Sequence, residues 1–214
     1  MKKKIFSFTA FLMLAFCLAC SDVFAASKTK AKSGAAKSSS GEEFVVELTA
    51  DLEGARIVKY TGKSPDVVIP KTIQGLPVLE VADFFCGVDS AKKNKTVKSI
   101  VFPDTVRTIG GLSGYVALES VVLPENLEKI SCAVVSSGKS CGMFEGCSSL
   151  KSINLPSSIR RIERDSFKGC SSLETVMLEE GWECDFAESA FTGCSKIQLI
   201  YQRNLKRAGY KGRF

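Results

Sequence analysis

Histidine is absent from all 214 residues, and that absence removes more function classes than any other feature of the composition. No Ser-His-Asp or Cys-His pair can form, and no histidine-ligated zinc site. The side chain that most often carries protons at neutral pH is missing as well. Carboxylate and lysine chemistry remain open, but the commoner enzyme classes start at a disadvantage. No excess of positive charge falls on the body of the chain either. The formal net charge is +6, yet the surplus sits at the ends: Lys2, Lys3 and Lys4, then Lys28, Lys30, Lys32 and Lys37, and at the far end Arg203, Lys206, Arg207, Lys211 and Arg213. Between Phe44 and Gln202 there are 17 basic and 20 acidic residues, a net of −3. A nucleic-acid binder concentrates positive charge on its folded face, so nucleic acid is not an expected partner. What the chain does have is apolar residues, 45% of the total, enough for a globular core.

The first residues read as an export signal. Lys2-Lys3-Lys4 is a basic start, and Ile5 to Ala19 an apolar run too short to span a bilayer comfortably. Two processing outcomes compete. Val23-Phe24-Ala25 suits cleavage after Ala25, whereas Leu18-Ala19-Cys20 resembles the end of a lipobox and would place a lipid on Cys20. The first outcome makes residues 1–25 a signal peptide. Residues 26–43 hold no large apolar residue and are rich in Ser, Lys, Ala and Gly, so they read as a flexible linker.

From there the sequence repeats itself. Leu150-Lys-Ser-Ile-Asn-Leu-Pro156 returns as Leu173-Glu-Thr-Val-Met-Leu178, 23 residues on. It stands upstream as Leu118-Glu-Ser-Val-Val-Leu-Pro124, Val97-Lys-Ser-Ile-Val-Phe-Pro103 and Val67-Val-Ile-Pro70, and fades downstream into Ile197-Gln-Leu-Ile200. A second signature keeps step: Phe144-Glu-Gly-Cys147, Phe167-Lys-Gly-Cys170 and Phe191-Thr-Gly-Cys194. Between them lie apolar pairs, Val106/Ile109, Leu127/Ile130 and Ile159/Ile162. Alternation around Ile153 and Leu155 marks a half-buried strand, and proline ends it. Phe and Cys turn inward from a return segment that glycine makes sharp. No such unit can bury its apolar face alone, so neighbours must stack.

This pattern resembles the BspA-type leucine-rich repeat of bacterial surface proteins, over about Phe44 to Phe214. The resemblance implies a β-rich α/β fold, a right-handed leucine-rich-repeat solenoid of about five to six coils over residues 65–202. Residues 44–64 would form a capping hairpin, Phe44–Leu48 pairing with Ala55–Tyr60 across Asp51-Leu-Glu-Gly54. Residues 203–214 would be a basic tail, its Arg203–Ala208 helix stopped by Gly209 and covering the last coil with Leu205 and Ala208. The implied role is protein binding, with surface adhesion or envelope association as its setting. The localisation would be the periplasm, the cell surface or the medium. Contact with membrane would come only through a lipid anchor. No cofactor or metal is expected. The alternatives are a structural envelope protein without a specific ligand, or a secreted enzyme using Glu163 with Asp165, or Glu183 with Asp185.

Departures from the repeat are the places to look for specificity. The coil from Leu118 is nine residues longer than the 23-residue unit, and the extra residues lie within Ser131 to Gly142. Cys86 to Thr96 is a second irregular stretch. Glu179 replaces a proline, and Gly181-Trp-Glu-Cys-Asp-Phe186 replaces an apolar pair. Cys147, Cys170 and Cys194 share one repeat position and read as packed thiols, since no CxxC pair supports a metal site. Cys132 and Cys141 flank the insertion, where a disulfide would suit an oxidising compartment. The outward strand positions give the candidate contact residues: Lys98, Glu119, Lys151 and Glu174 in one row, Val101, Val122, Asn154 and Met177 in another. A row of Ser99, Ser120, Ser152 and Thr175 runs between them. Trp182 joins the candidates because an exposed lone tryptophan is a natural binding anchor.

Overall fold

The computed structural model describes residues 43–82, 94–130, 132–134, 140–179 and 181–214. The export signal, Cys20, the linker up to Glu42, and Cys86 with most of its irregular stretch lie outside the described residues. The chain opens with β1 (Phe44–Leu48) and β2 (Ala55–Tyr60), followed by β3 (Asp66–Val68), β4 (Thr72–Ile73) and β5 (Leu76–Val81). Short strands then alternate: β6 (Ser99–Val101), β7 (Thr108–Ile109), β8 (Ser120–Val122) and β9 (Lys129–Ile130). The insertion supplies β10 (Cys132–Val134) and β11 (Ser140–Gly142). After it come β12 (Ser152–Asn154), β13 (Arg161–Ile162), β14 (Thr175–Met177), β15 (Asp185–Phe186) and the helix α1 (Leu199–Arg207).

Each repeat feeds three ladders. The first is a parallel five-stranded sheet in the order β14-β12-β8-β6-β3, with Ile100 opposite Val121 and Ile153 opposite Val176. The inward residues Val67, Ile100, Val121, Ile153 and Val176 are all buried. The second ladder is the parallel run β15-β13-β9. The third is the Phe-x-Gly-Cys segment. In each copy the cysteine N–H donates to the phenylalanine carbonyl three residues back, at 3.1 Å for Cys147, Cys170 and Cys194. The glycine at the third position has φ +75, +73 and +81 at Gly146, Gly169 and Gly193, the conformation a type II turn demands there. The N–H of Gly146 then donates to Lys168 O, and that of Gly169 to Thr192 O, which stacks the turns. The turns hold the phenylalanine rings parallel: Phe144 on Phe167 at 5.2 Å, Phe167 on Phe191 at 4.9 Å.

The same turn occurs once earlier, disguised, as Leu112-Ser-Gly114-Tyr115. Gly114 has φ +79, and its N–H donates to Glu145 O. Leu and Tyr stand where Phe and Cys stand later, so the copy escapes a search for the Phe-Gly-Cys signature. The Trp182 segment is a second disguise. The sequence reads it as a loss of the apolar pair, but β15 aligns Phe186 with Ile162, and Trp182 donates its indole N–H to Ile159 O at 2.8 Å. Trp182 and Phe186 are therefore the pair of this repeat, spaced by four residues rather than three.

The N-terminal hairpin forms with Leu48 opposite Ala55 and Phe44 opposite Tyr60. It joins the rest through β2, which runs parallel to β5, so β3 remains the end strand of the five-stranded sheet. In the hairpin turn Thr49 donates to the Asp51 carboxylate at 2.5 Å and accepts from Gly54 N–H at 3.0 Å. The Thr49 hydroxyl, with the Glu53 N–H, holds the Asp51 carboxyl below its ordinary range. The turn carries an exposed Leu52 at φ +63, a conformation that costs a side chain with a Cβ about 1–2 kcal/mol.

Two expectations need correction. The insertion is not an irregular loop throughout: β10 and β11 pair antiparallel, with Cys132 opposite Gly142 and Cys141 opposite Ala133. The two cysteines are thus offset by one residue rather than facing. At the far end, Leu199 and Ile200 are the exposed first residues of α1, not a fading strand, and the helix starts four residues earlier than Arg203. The ladder ends at Gln198, whose N–H donates to Glu174 O. Helix formers from Tyr201 to Arg207 then place Leu205 and Ala208 in the core. Tyr210 N–H bonds Leu205 O and Gly209 N–H bonds Lys206 O, a Schellman pair that needs the positive φ of +113 at Gly209.

Phe167 is the middle ring of the stack, so Phe167→Ala is expected to lower unfolding free energy by about 3–5 kcal/mol in urea titration. Leu52→Asn works in the other direction. It relieves the turn and should raise stability by about 1 kcal/mol in the same measurement.

Candidate functional site

The outward face of the five-stranded sheet collects the candidate residues because register is set by backbone pairing. Ser99 faces Ser120, Ser152 faces both Ser120 and Thr175, and Val101 faces Val122 while Asn154 faces Met177. The first row is tied through the main chain: Glu119 N–H to Lys98 O, Lys151 N–H to Glu119 O, Glu174 N–H to Lys151 O. Its side chains alternate in sign, and Lys151 meets Glu119 at 3.1 Å. Both partners are largely in water, so this pair fixes register more than it stabilises.

The third row is different. Val122 is 54% exposed and Met177 47%, although both stand on paired strands. The sequence reading stopped one rung short, since β3 adds Asp66 and Val68 to the second and third rows. Asp66 accepts the Ser99 hydroxyl at 2.6 Å, so the hydroxyl row ends on a carboxylate. Trp182 does not belong to this face. It is 7% exposed, and its N–H is used inside. Its ring stands edge-on to Phe186 at 6.0 Å, in a cluster that also holds Phe191, Tyr210 and Phe214.

Sequence reasoning also missed the positions just beyond the strands. Asp104 and Glu125 each follow the proline that ends a strand, and Glu179 replaces that proline in the β14 repeat. With Val122, Asn154, Pro156 and Ser157 they line a groove of about 350 Å³. A proline-acid dipeptide repeated one unit apart was the available signal. Ser157 and Glu179 continue into an adjoining cleft of about 400 Å³ bounded by Arg160, Trp182 and Glu183.

Three of the four carboxylates weighed as catalytic pairs meet cations, while Glu183 lines the cleft beside Trp182. Glu163 meets Lys129 at 2.7 Å, Asp165 meets Lys168 at 3.7 Å and Asp185 meets Arg161 at 3.5 Å. Nor do the stacked thiols form a ligand set. Cys147 donates to Leu112 O at 3.2 Å, Cys170 to Phe144 O at 3.2 Å and Cys194 to Phe167 O at 3.0 Å. Each thiol bonds the turn carbonyl of the preceding repeat. Among the described residues no group of three or more Cys, Asp or Glu side chains is placed to hold a metal ion.

Hydrogen bonding with Cys194, followed by burial, pushes the Cys170 thiol well up, and burial beside Asp185 pushes Cys184 up to about 12 from an ordinary 9.0. A rise of that size at Cys184 cuts its thiolate about a thousandfold in mildly alkaline solution. Iodoacetamide at pH 8.5 should therefore spare Cys170 and Cys184 in the native chain and alkylate both in urea, as read by peptide mass spectrometry. Because the folded values lie above the unfolded ones, this contribution to stability is intact below the ordinary thiol pKa. It is lost as pH rises from about 9 towards 12. The urea midpoint should fall over that window, and less steeply in Cys184→Ala.

The chain matches the BspA type leucine rich repeat region in six copies over residues 89–209. Among solved structures it is 27% identical to a leucine-rich-repeat protein of T. pallidum, with a TM-score of 0.50, covering 83% of this chain and 99% of that one. It is 25% identical to a leucine rich cell surface protein from Faecalibacterium prausnitzii, with a TM-score of 0.55. There the match covers 72% of this chain and 36% of the other. No curated protein matches.

Proposed function

Since the chain belongs to the BspA-type leucine-rich-repeat family, we propose that it is an exported protein-binding module whose partner docks on the outward face of the five-stranded sheet. Leucine-rich repeats of this kind are in general protein-interaction modules, and this sheet has what such a contact needs. The carrying observation is the row in which Val122 and Met177 stand exposed on strands held in register. An aliphatic strip bordered by hydroxyls and by alternating charges is the usual composition of a contact core with a polar rim. Lys98, Val101, Glu119, Lys151, Asn154 and Glu174 complete the surface.

In this reading the repeats form a right-handed solenoid of five to six coils, closed by the hairpin at one end and α1 at the other. Residues 1–25 direct export, residues 26–43 tether the domain, and the setting is the cell surface or the envelope. The F. prausnitzii relative is described as a cell surface protein, which supports export. No helix among the described residues is long and apolar enough to cross a membrane, and in this reading a lipid at Cys20 attaches the chain. Mass spectrometry of the mature N-terminus decides between that lipid and cleavage after Ala25.

Binding is tested with a panel of purified extracellular-matrix and periplasmic proteins against immobilised mature chain. The double variant Val122→Asp/Met177→Asp should weaken capture about tenfold or more while leaving the thermal transition in place. A panel with no binder, or a binder indifferent to those substitutions, overturns the reading.

A further inference from the structure

Several charges on this molecule pair across neighbouring repeats. Lys151 meets Glu119, Lys129 meets Glu163, and Arg161 meets Asp185, each on an adjacent repeat. Asp104, Glu125 and Glu179 are not so paired, and they share one groove whose lining holds no lysine or arginine. No described cation pairs with any of them, and the Asp104 carboxylate takes only the Glu125 N–H, at 3.4 Å. All three line the 350 Å³ groove along the strand ends, whose apolar wall includes the exposed Val122. Unpaired carboxylates over an apolar wall concentrate negative potential in the groove.

We propose that this groove docks an extended, lysine- or arginine-bearing segment of the partner protein. The segment runs across the strand ends, with basic side chains on Asp104, Glu125 and Glu179 and an aliphatic side chain on Val122. The idea rests on the sheet-face reading above and names the chemistry of the partner.

The spacing of the carboxylates suits an extended chain. Asp104 and Glu179 follow β6 and β14, three strand spacings apart in the sheet, or about 14 Å at ~4.8 Å each. Four or five extended residues cover that distance at ~3.3 Å per residue, and their same-side positions recur every ~6.7 Å. An extended segment laid along the strand ends can therefore set alternate side chains on successive carboxylates. Charge sets the polarity of the site: an acidic segment would face three uncompensated carboxylates.

The test uses the mature chain and two fluorescein-labelled peptides, Lys-Val-Lys-Val-Lys and Glu-Val-Glu-Val-Glu, followed by fluorescence anisotropy. The lysine peptide is expected to bind, more weakly as salt is raised, and the glutamate peptide not to bind. Glu125→Lys/Glu179→Lys should weaken the lysine peptide at least tenfold. Glu47→Lys/Glu53→Lys, the same charge change on the N-terminal hairpin, should leave it within twofold. Absence of binding, equal binding of the glutamate peptide, or equal loss in the hairpin variant overturns the proposal. Self-association of the chain in sedimentation, abolished by the groove variant, would also overturn it, in favour of a second copy as occupant. The two readings fail separately. A panel protein lost in Val122→Asp/Met177→Asp but kept in Glu125→Lys/Glu179→Lys leaves the sheet face standing and removes the groove.

Discussion

Everything in this fold depends on a turn that brings the chain back to the same place once per repeat. Its key is a glycine at positive φ, found at Gly114, Gly146, Gly169 and Gly193. A Cβ there would meet open space or ordinary contacts, but holding a residue with a side chain at that φ costs about 1–2 kcal/mol at each turn. With the turn closed, the amides of Gly114, Gly146 and Gly169 reach a carbonyl of the next repeat, the phenylalanines stack face to face, and the thiols bond back one repeat. Cysteine suits that last position for a definite reason. It is small and apolar enough for the core, yet carries a weak donor for a carbonyl that water cannot reach.

The stacking also explains what can be read from the sequence and what cannot. Strands β6, β8, β12 and β14 were visible because Ile100, Val121, Ile153 and Val176 alternate with polar residues and a fixed spacing repeats them. The hairpin was visible because a Gly-containing turn separates two alternating segments. The copy at Leu112-Ser-Gly-Tyr115 was hidden, since Leu112 and Tyr115 take the buried places that Phe and Cys hold in the later copies. Trp182 was misjudged for a related reason: a large ring with a donor can replace isoleucine if a carbonyl lies within reach, and Ile159 provides it. The start of α1 was missed because Leu199 and Ile200 look like core residues. Their exposure is decided by the end of the ladder at Gln198, which is a tertiary fact.

The candidate site was legible in its rows and illegible in its margin. Lys98, Glu119, Lys151 and Glu174 announce themselves by alternating sign at one repeat position. Asp104 and Glu125 do not, since an acidic residue after proline is ordinary in any loop. Only the absence of a cation beside them sets them apart from the paired carboxylates at Glu163 and Asp185. Pairing is a property of folded neighbours and leaves no mark on the linear order of residues.

The direction of the ladders has a mechanical consequence. In a parallel stack the hydrogen bonds between repeats point along the stacking axis, so tension on the two ends of the repeat region pulls on them in series. Such a stack yields one repeat at a time at modest force, where a sheet loaded along its strands must break many bonds at once. Each released repeat frees about two dozen residues of slack. The repeat region would then lengthen in steps and re-form when the load drops.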